Sequence, residues 1–204
     1  MSIPNILTLL RIAIIPIILV LLINGSSQRE VFWAFMLFVI SALTDFFDGW
    51  LARKLKQESD FGRLFDPIAD KMLIIAVYFA LVGIQVIAGW NILAVILIVS
   101  RELLVSALRE YLAERNVTMP PSQQSKYKTA LQLIVTAALI ISPMFNENFL
   151  NYTLLSLWIV AAFTIFTGFN YIIDEKYVLL STQKFMKISE CILFDLKTLI
   201  PMRK

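Results

Sequence analysis

The sequence predicts an all-α integral membrane protein with six transmembrane helices and both termini in the cytoplasm. Three observations carry that reading. Of 204 residues, 59% are hydrophobic and 16% charged, and the mean hydropathy is +0.78, too apolar for a domain that meets water on every side. The apolar residues fall into blocks of about 20, the length at which a helix crosses a hydrocarbon core of roughly 30 Å. Lys and Arg gather in alternate connections, as expected for the inner side of a membrane.

The first span is expected over 6–23 and ends at Asn24-Gly25-Ser26-Ser27. The second covers 31–51. The third covers 67–86, with Asp66 as its N-cap, Pro67 in the first helical position and Gly89 beyond its end. The fourth runs over 92–112, before Pro120-Pro121. The fifth, over 127–142, is the least apolar and ends at Ser142-Pro143, and the sixth runs over 149–173. Arg53, Lys54, Lys56 and Arg63 lie between spans two and three, and Arg115 and Lys126 between four and five. The tail adds Lys176, Lys184, Lys187, Lys197, Arg203 and Lys204, whereas only Arg29 occupies a loop on the other side.

No basic segment precedes the first span and Arg11 lies inside it, so it is expected to be retained rather than cleaved as a signal. One membrane domain is expected over 1–175. The tail, 176–204, mixes lysines with Phe185, Met186, Ile188, Ile192, Leu193 and Phe194; it reads equally as an interfacial amphipathic helix or an unstructured segment. The single cysteine, Cys191, excludes an intrachain disulfide and a thiolate metal cluster. A net charge of +3 suggests anionic lipid headgroups as neighbours rather than nucleic acid, for which no motif appears.

The chemistry is concentrated in Asp45-x2-Asp48-Gly49-x2-Ala52-Arg53-x8-Gly62-x3-Asp66-x3-Asp70. At about 100° per residue, Asp45, Asp48, Gly49 and Ala52 share one helical face, setting two carboxylates beside two residues with almost no side chain. Arg53 at the edge supplies a planar fork suited to phosphate oxygens. Asp66 and Asp70 are one turn apart on the next helix, and a connection of roughly 13 residues brings the two acidic pairs together. Any one of these aspartates could be a solvated cap, but four caps do not require Gly49, Ala52, Arg53 and Gly62 at fixed offsets. Four converging carboxylates need protonation or cations, and all-oxygen ligands in a chain without histidine favour Mg2+ or Mn2+.

Charged groups inside spans are costly and mark a cavity or a partner. Asn5, Thr8 and Arg11 form a stripe that either faces the acidic motif or reduces to a cap at Asn5 and an Arg11 that snorkels to the headgroups. Arg101 and Arg109, about 12 Å apart along the fourth span, can converge on one anion; Arg101 could instead simply pair with Glu102. Lys126 and Lys128 open the fifth span as interfacial anchors or as further cations of a phosphate pocket. For Lys71, pairing with an acidic neighbour and a role in substrate binding are both open.

The acidic motif resembles that of the CDP-alcohol phosphotransferases. More narrowly, the chain is similar to the bacterial phosphatidylglycerophosphate synthases in Pro4-Asn5-Ile6-Leu7-Thr8-Leu9-Leu10-Arg11, Asp66-Pro67-Ile68-Ala69-Asp70-Lys71, Arg101-Glu102, Ser106-Ala107-Leu108-Arg109-Glu110 and Lys126-Tyr127-Lys128-Thr129-Ala130-Leu131-Gln132. Ser125 stands where that pattern has glycine. The resemblance spans residues 3–173. It implies a dimeric enzyme of the cell inner membrane, its site open to the cytoplasm. That enzyme would transfer the phosphatidyl group of CDP-diacylglycerol to glycerol 3-phosphate with Mg2+ or Mn2+, two ions per site. Asp45, Asp48 and Asp66 would be metal ligands, and Asp70 a ligand, the base, or both. Asn5, Thr8, Asp48, Gly49, Ala52, Arg53 and Gly62 would bind CDP-diacylglycerol, and Arg101, Arg109, Lys126 and Lys128 the glycerol phosphate.

Other acceptors within the family are an inositol phosphate, serine or a phospholipid. Serine needs fewer cations than this cluster offers. A membrane transporter would be expected to show broken helices and pseudo-symmetric halves, which are not evident. A noncatalytic lipid-binding relative would be expected to have lost one of the four aspartates.

Overall fold

A computed structural model describes the backbone of residues 3–25, 27–55, 60–114 and 123–171, and the side chains of 9–25, 27–44, 68–69, 71–113 and 126–171. Six α-helices and no strand occur among the described residues: α1 (Ile3–Ile23), α2 (Gln28–Leu55), α3 (Asp60–Gly83), α4 (Asn91–Glu114), α5 (Gln123–Ile141) and α6 (Glu147–Tyr171), with a 3-10 turn at Ser142–Met144. The chain divides into two compact units, Met1–Ile165 and Phe166–Lys204. In the first, α1 packs on α2 and α3, and α5 on α2 and α3; α4 meets α3. Of the second, the described residues are 166–171, the end of α6; the predicted tail over 176–204 lies outside the described residues.

The predicted helices recur with shifted ends. Helix α2 runs on to Leu55 because Leu51, Ala52, Arg53, Lys54 and Leu55 are all good helix formers, so the helix outlasts its apolar block. Helix α3 begins at Asp60, which corrects the predicted cap at Asp66 and the 13-residue connection: only 56–59 separate α2 from α3. Proline deletes the backbone bond at its own position, and the preceding turn stays helical because continued helix keeps its polar groups satisfied near a bilayer.

Local signals set the other ends. Ser27 stands just before α2, and its N–H donates to Glu30 Oε2 in the first turn at 3.1 Å, the backbone half of a capping box. Asn146 caps α6 by accepting the Phe149 N–H at 3.1 Å. Helix α3 stops at Gly83 rather than 86, because Gln85 turns left-handed at φ 63° and the Val86 and Gln85 N–H groups donate back to the Leu81 and Val82 carbonyls at 3.0 and 3.1 Å. At Gly25 a Cβ would lie 2.4 Å from the Leu21 carbonyl oxygen, so the α1–α2 turn accepts glycine alone.

Ile18, Phe38, Val77, Leu81, Ile98, Leu139 and Leu157 are fully or almost fully buried and join the helices of the first unit in one apolar core. Val20, Ile23, Phe79, Ile96, Ile134 and Ile159 point outward and exposed, an apolar exterior suited to lipid. Among the described residues, three helical stretches are long and apolar enough to cross a membrane, Asn91–Ala113, Lys126–Met144 and Glu147–Tyr171. The described parts of α1 and α3 add shorter apolar stretches, Leu9–Ile23 and Lys71–Gly83. Polar side chains inside are bonded locally or across helices: Thr136 Oγ1 lies 2.7 Å from the Gln132 carbonyl, to which it donates, and 3.1 Å from Tyr78 Oη, tying α5 to α3.

Candidate active site

The acidic motif is divided between the end of α2 and the start of α3. Asp45 and Asp48 lie ten and seven residues before Leu55, and Asp66 and Asp70 six and ten residues after Asp60. At 1.5 Å per residue these are about 15 and 10 Å along one helix and about 9 and 15 Å along the other. Helices α2 and α3 both pack on α1 and α5, so the two halves of the motif are carried by helices that share neighbours. The side chains of Asp45, Asp48, Asp66 and Asp70 lie outside the described residues, as do those of Asn5, Thr8, Gly49, Ala52, Arg53 and Gly62. Four carboxylates in a chain without histidine are a donor set that fits a hard divalent cation.

Arg11 is buried, 3% exposed, and does not snorkel to the surface. With Ser41 from α2, Leu73 and Ile74 from α3 and Thr129 from α5 it lines a cavity of about 40 Å³. The Ser41 hydroxyl there is buried and has no hydrogen-bond partner.

A larger cavity, about 210 Å³, opens between α3, α4 and α5. Lys71 from α3, Arg101, Glu102 and Arg109 from α4, and Lys128 and Gln132 from α5 line it, above an apolar floor that includes Ile74, Ile98 and Val99. The spacing brings them there: Arg101 and Arg109, two turns apart, bracket Glu102 and Val105 on α4, while Lys128 and Gln132, one turn apart, share a face of α5. Glu102 organises the cations. Its Oε1 accepts from Lys128 Nζ, and from Arg101 Nη1 at 3.4 Å. All three side chains are largely withdrawn from solvent, at 4% exposure for Lys128, 10% for Arg101 and 15% for Glu102.

Of the four predicted phosphate-binding residues, Arg101, Arg109 and Lys128 thus share one cavity. Lys126 does not line it and is exposed. Two residues apart on a helix is about 200° of rotation, so Lys126 and Lys128 face opposite ways. Arg101 does pair with Glu102, the second of its two predicted roles, while still lining the cavity. Lys71 joins the lining, which its sequence position left open. Gln132 was assigned no role by the sequence; its one signal was a polar residue in an apolar run at one turn from Lys128.

The sequence profile of the CDP-alcohol phosphatidyltransferase family matches residues 1–195. A CDP-diacylglycerol--glycerol-3-phosphate 3-phosphatidyltransferase of Rickettsia typhi is 40% identical over 176 residues, covering 83% of this chain and 94% of the relative. A protein of the same name from Rickettsia felis is 41% identical over 176 residues, with 83% and 93% covered. The one from Bacillus subtilis is 34% identical over 182 residues, again with 83% and 93% covered. With a profile match over nearly its whole length, and relatives this similar, the chain belongs to the CDP-alcohol phosphatidyltransferase family.

Proposed function

We propose that this chain transfers the phosphatidyl group of CDP-diacylglycerol to glycerol 3-phosphate, forming phosphatidylglycerol phosphate and releasing CMP. The observation that carries the acceptor is the cavity. Among its described lining residues four are cationic, Lys71, Arg101, Arg109 and Lys128, and one is acidic, Glu102. Guanidinium and ammonium donors from three helices suit the oxygens of a phosphate dianion better than a zwitterion such as serine. Lys71 directly follows Asp70, so the cavity adjoins the acidic end of α3. The relatives named for the same reaction support the reading.

In this reading Asp45, Asp48, Asp66 and Asp70 hold Mg2+ or Mn2+, two ions per site, which when bound neutralise the pyrophosphate charge. Asp48, Gly49, Ala52, Arg53 and Gly62, with Asn5 and Thr8 of α1, receive CDP-diacylglycerol, the small residues allowing the close approach of its backbone. Arg101, Arg109 and Lys128 hold the acceptor phosphate. Asp70 takes the proton of the glycerol 3-phosphate primary hydroxyl, whose oxygen bonds to the lipid-linked phosphorus as the bond to CMP breaks. Positioning and charge stabilisation supply most of the rate. Lys126, outside the cavity, keeps the role of an interfacial anchor. All six helices cross a cell inner membrane, with both termini and the site on the cytoplasmic side, and two copies form a homodimer.

The test is CMP release by purified protein in detergent with CDP-diacylglycerol and Mg2+ or Mn2+, comparing glycerol 3-phosphate with inositol phosphate, serine and no acceptor. Release specific to glycerol 3-phosphate is expected. Release with another alcohol overturns the acceptor and leaves the acidic site standing. Release with none returns the transporter and lipid-binding readings. Asp70→Asn is expected to abolish turnover, by at least about 10³-fold, while CDP-diacylglycerol binding persists; near-normal turnover removes Asp70 as the base.

A further inference from the structure

Gln132 is 1% exposed, lines the cationic cavity, and its carboxamide Nε2 has no hydrogen-bond partner. A buried amide without a partner is costly, so a polar group meant only to fill the core is out of place here. Leucine would fill the same space among Ile74, Ile98 and Val105 at no such cost. Resting on the function proposed above, we infer that Gln132 is the residue by which this chain reads the secondary hydroxyl of its acceptor.

Position supports that role. Gln132 lies one turn along α5 from Lys128, a rise of about 6 Å, while Lys128 is bonded to Glu102 and stands with Arg101 at the phosphate end. An acceptor anchored by its phosphate on those cations therefore carries its hydroxyl-bearing carbons past Gln132 towards α3. The primary hydroxyl is consumed in the reaction. The secondary one is not, and it is the polar group that distinguishes glycerol 3-phosphate from a plain hydroxyalkyl phosphate. Nε2, which has no protein partner, donates to that oxygen. A site built to hydrogen-bond a substrate hydroxyl discriminates strongly against the analogue without it, because the protein group is then left buried and unpaired.

The experiment compares two acceptors on the native protein and on Gln132→Leu: glycerol 3-phosphate and 3-hydroxypropyl phosphate, which keeps the attacking hydroxyl and the phosphate but lacks the secondary hydroxyl. The native protein is expected to prefer glycerol 3-phosphate by about 10–100-fold in kcat/KM. In Gln132→Leu the preference falls to within about threefold, through loss on glycerol 3-phosphate alone. Because the preference is a ratio within one preparation, the folded fraction cancels. The thermal midpoint of the unliganded variant in detergent is expected to stay level or rise, since an unpaired buried amide has been removed. Equal loss with both acceptors, a preserved preference, or a native protein that uses both equally overturns the inference. If the native protein releases no CMP with glycerol 3-phosphate, the acceptor assignment fails first and this inference with it.

Discussion

Glu102 shows how one carboxylate makes a cationic cavity tenable. Arg101 and Lys128 lie close together and largely buried, where two like charges repel and each loses hydration. Glu102 between them offsets part of that cost and fixes both side chains before any ligand arrives. Removing a cation that would form a charge-assisted bond to phosphate weakens acceptor binding, and the two predicted lysines should separate cleanly. Lys128→Ala is expected to lower kcat/KM for glycerol 3-phosphate by about 10–100-fold, mainly through KM. Lys126→Ala, at an exposed position outside the cavity, should stay within about threefold. Steady-state kinetics on the two variants decide this; a matching loss from both would return Lys126 to the pocket.

At the scale of the element, helix ends decide where the chemistry sits. Because α3 starts at Asp60 and not at Pro67, Asp66 and Asp70 lie inside the helix, six and ten residues from its first residue. At the other end of α3, the left-handed residue that ends the helix is Gln85 rather than glycine. A side chain there costs roughly 1–2 kcal/mol, partly offset by the bond from Gln85 Nε2 to the Val82 carbonyl at 3.2 Å. Gln85→Gly is therefore expected to raise stability by up to ~1 kcal/mol without changing turnover, seen as a higher thermal midpoint in detergent. A lower midpoint would mean that the side-chain bond outweighs the backbone strain.

For the molecule as a whole, the apolar exterior and the charge bias of the connections predict a single orientation in the membrane. The one cysteine, Cys191, falls in the basic tail and so supplies a native reporter. A membrane-impermeant maleimide is expected to label it in inverted inner-membrane vesicles and not in intact right-side-out ones. The reverse pattern would place the C-terminus outside and overturn the proposed topology.

The sequence by itself determined the all-α class, the number of apolar blocks and the acidic motif. Each of these is written in local periodicity and spacing, Asp45 to Asp70 above all. It misjudged the starts and stops of α2 and α3 because apolar runs follow the thickness of the bilayer, whereas helices follow hydrogen-bond continuity, which Pro67 interrupts at one position only. Sorting the cations needed the tertiary structure. That Lys128 turns inward to Glu102 while Lys126 turns out, and that Gln132 is buried with an unpaired amide beside them, depends on which face of α5 packs against α3 and α4. Such a choice between faces is made by long-range packing, where burial of one stripe excludes the other, and its one local trace is the one-turn spacing of Lys128 and Gln132.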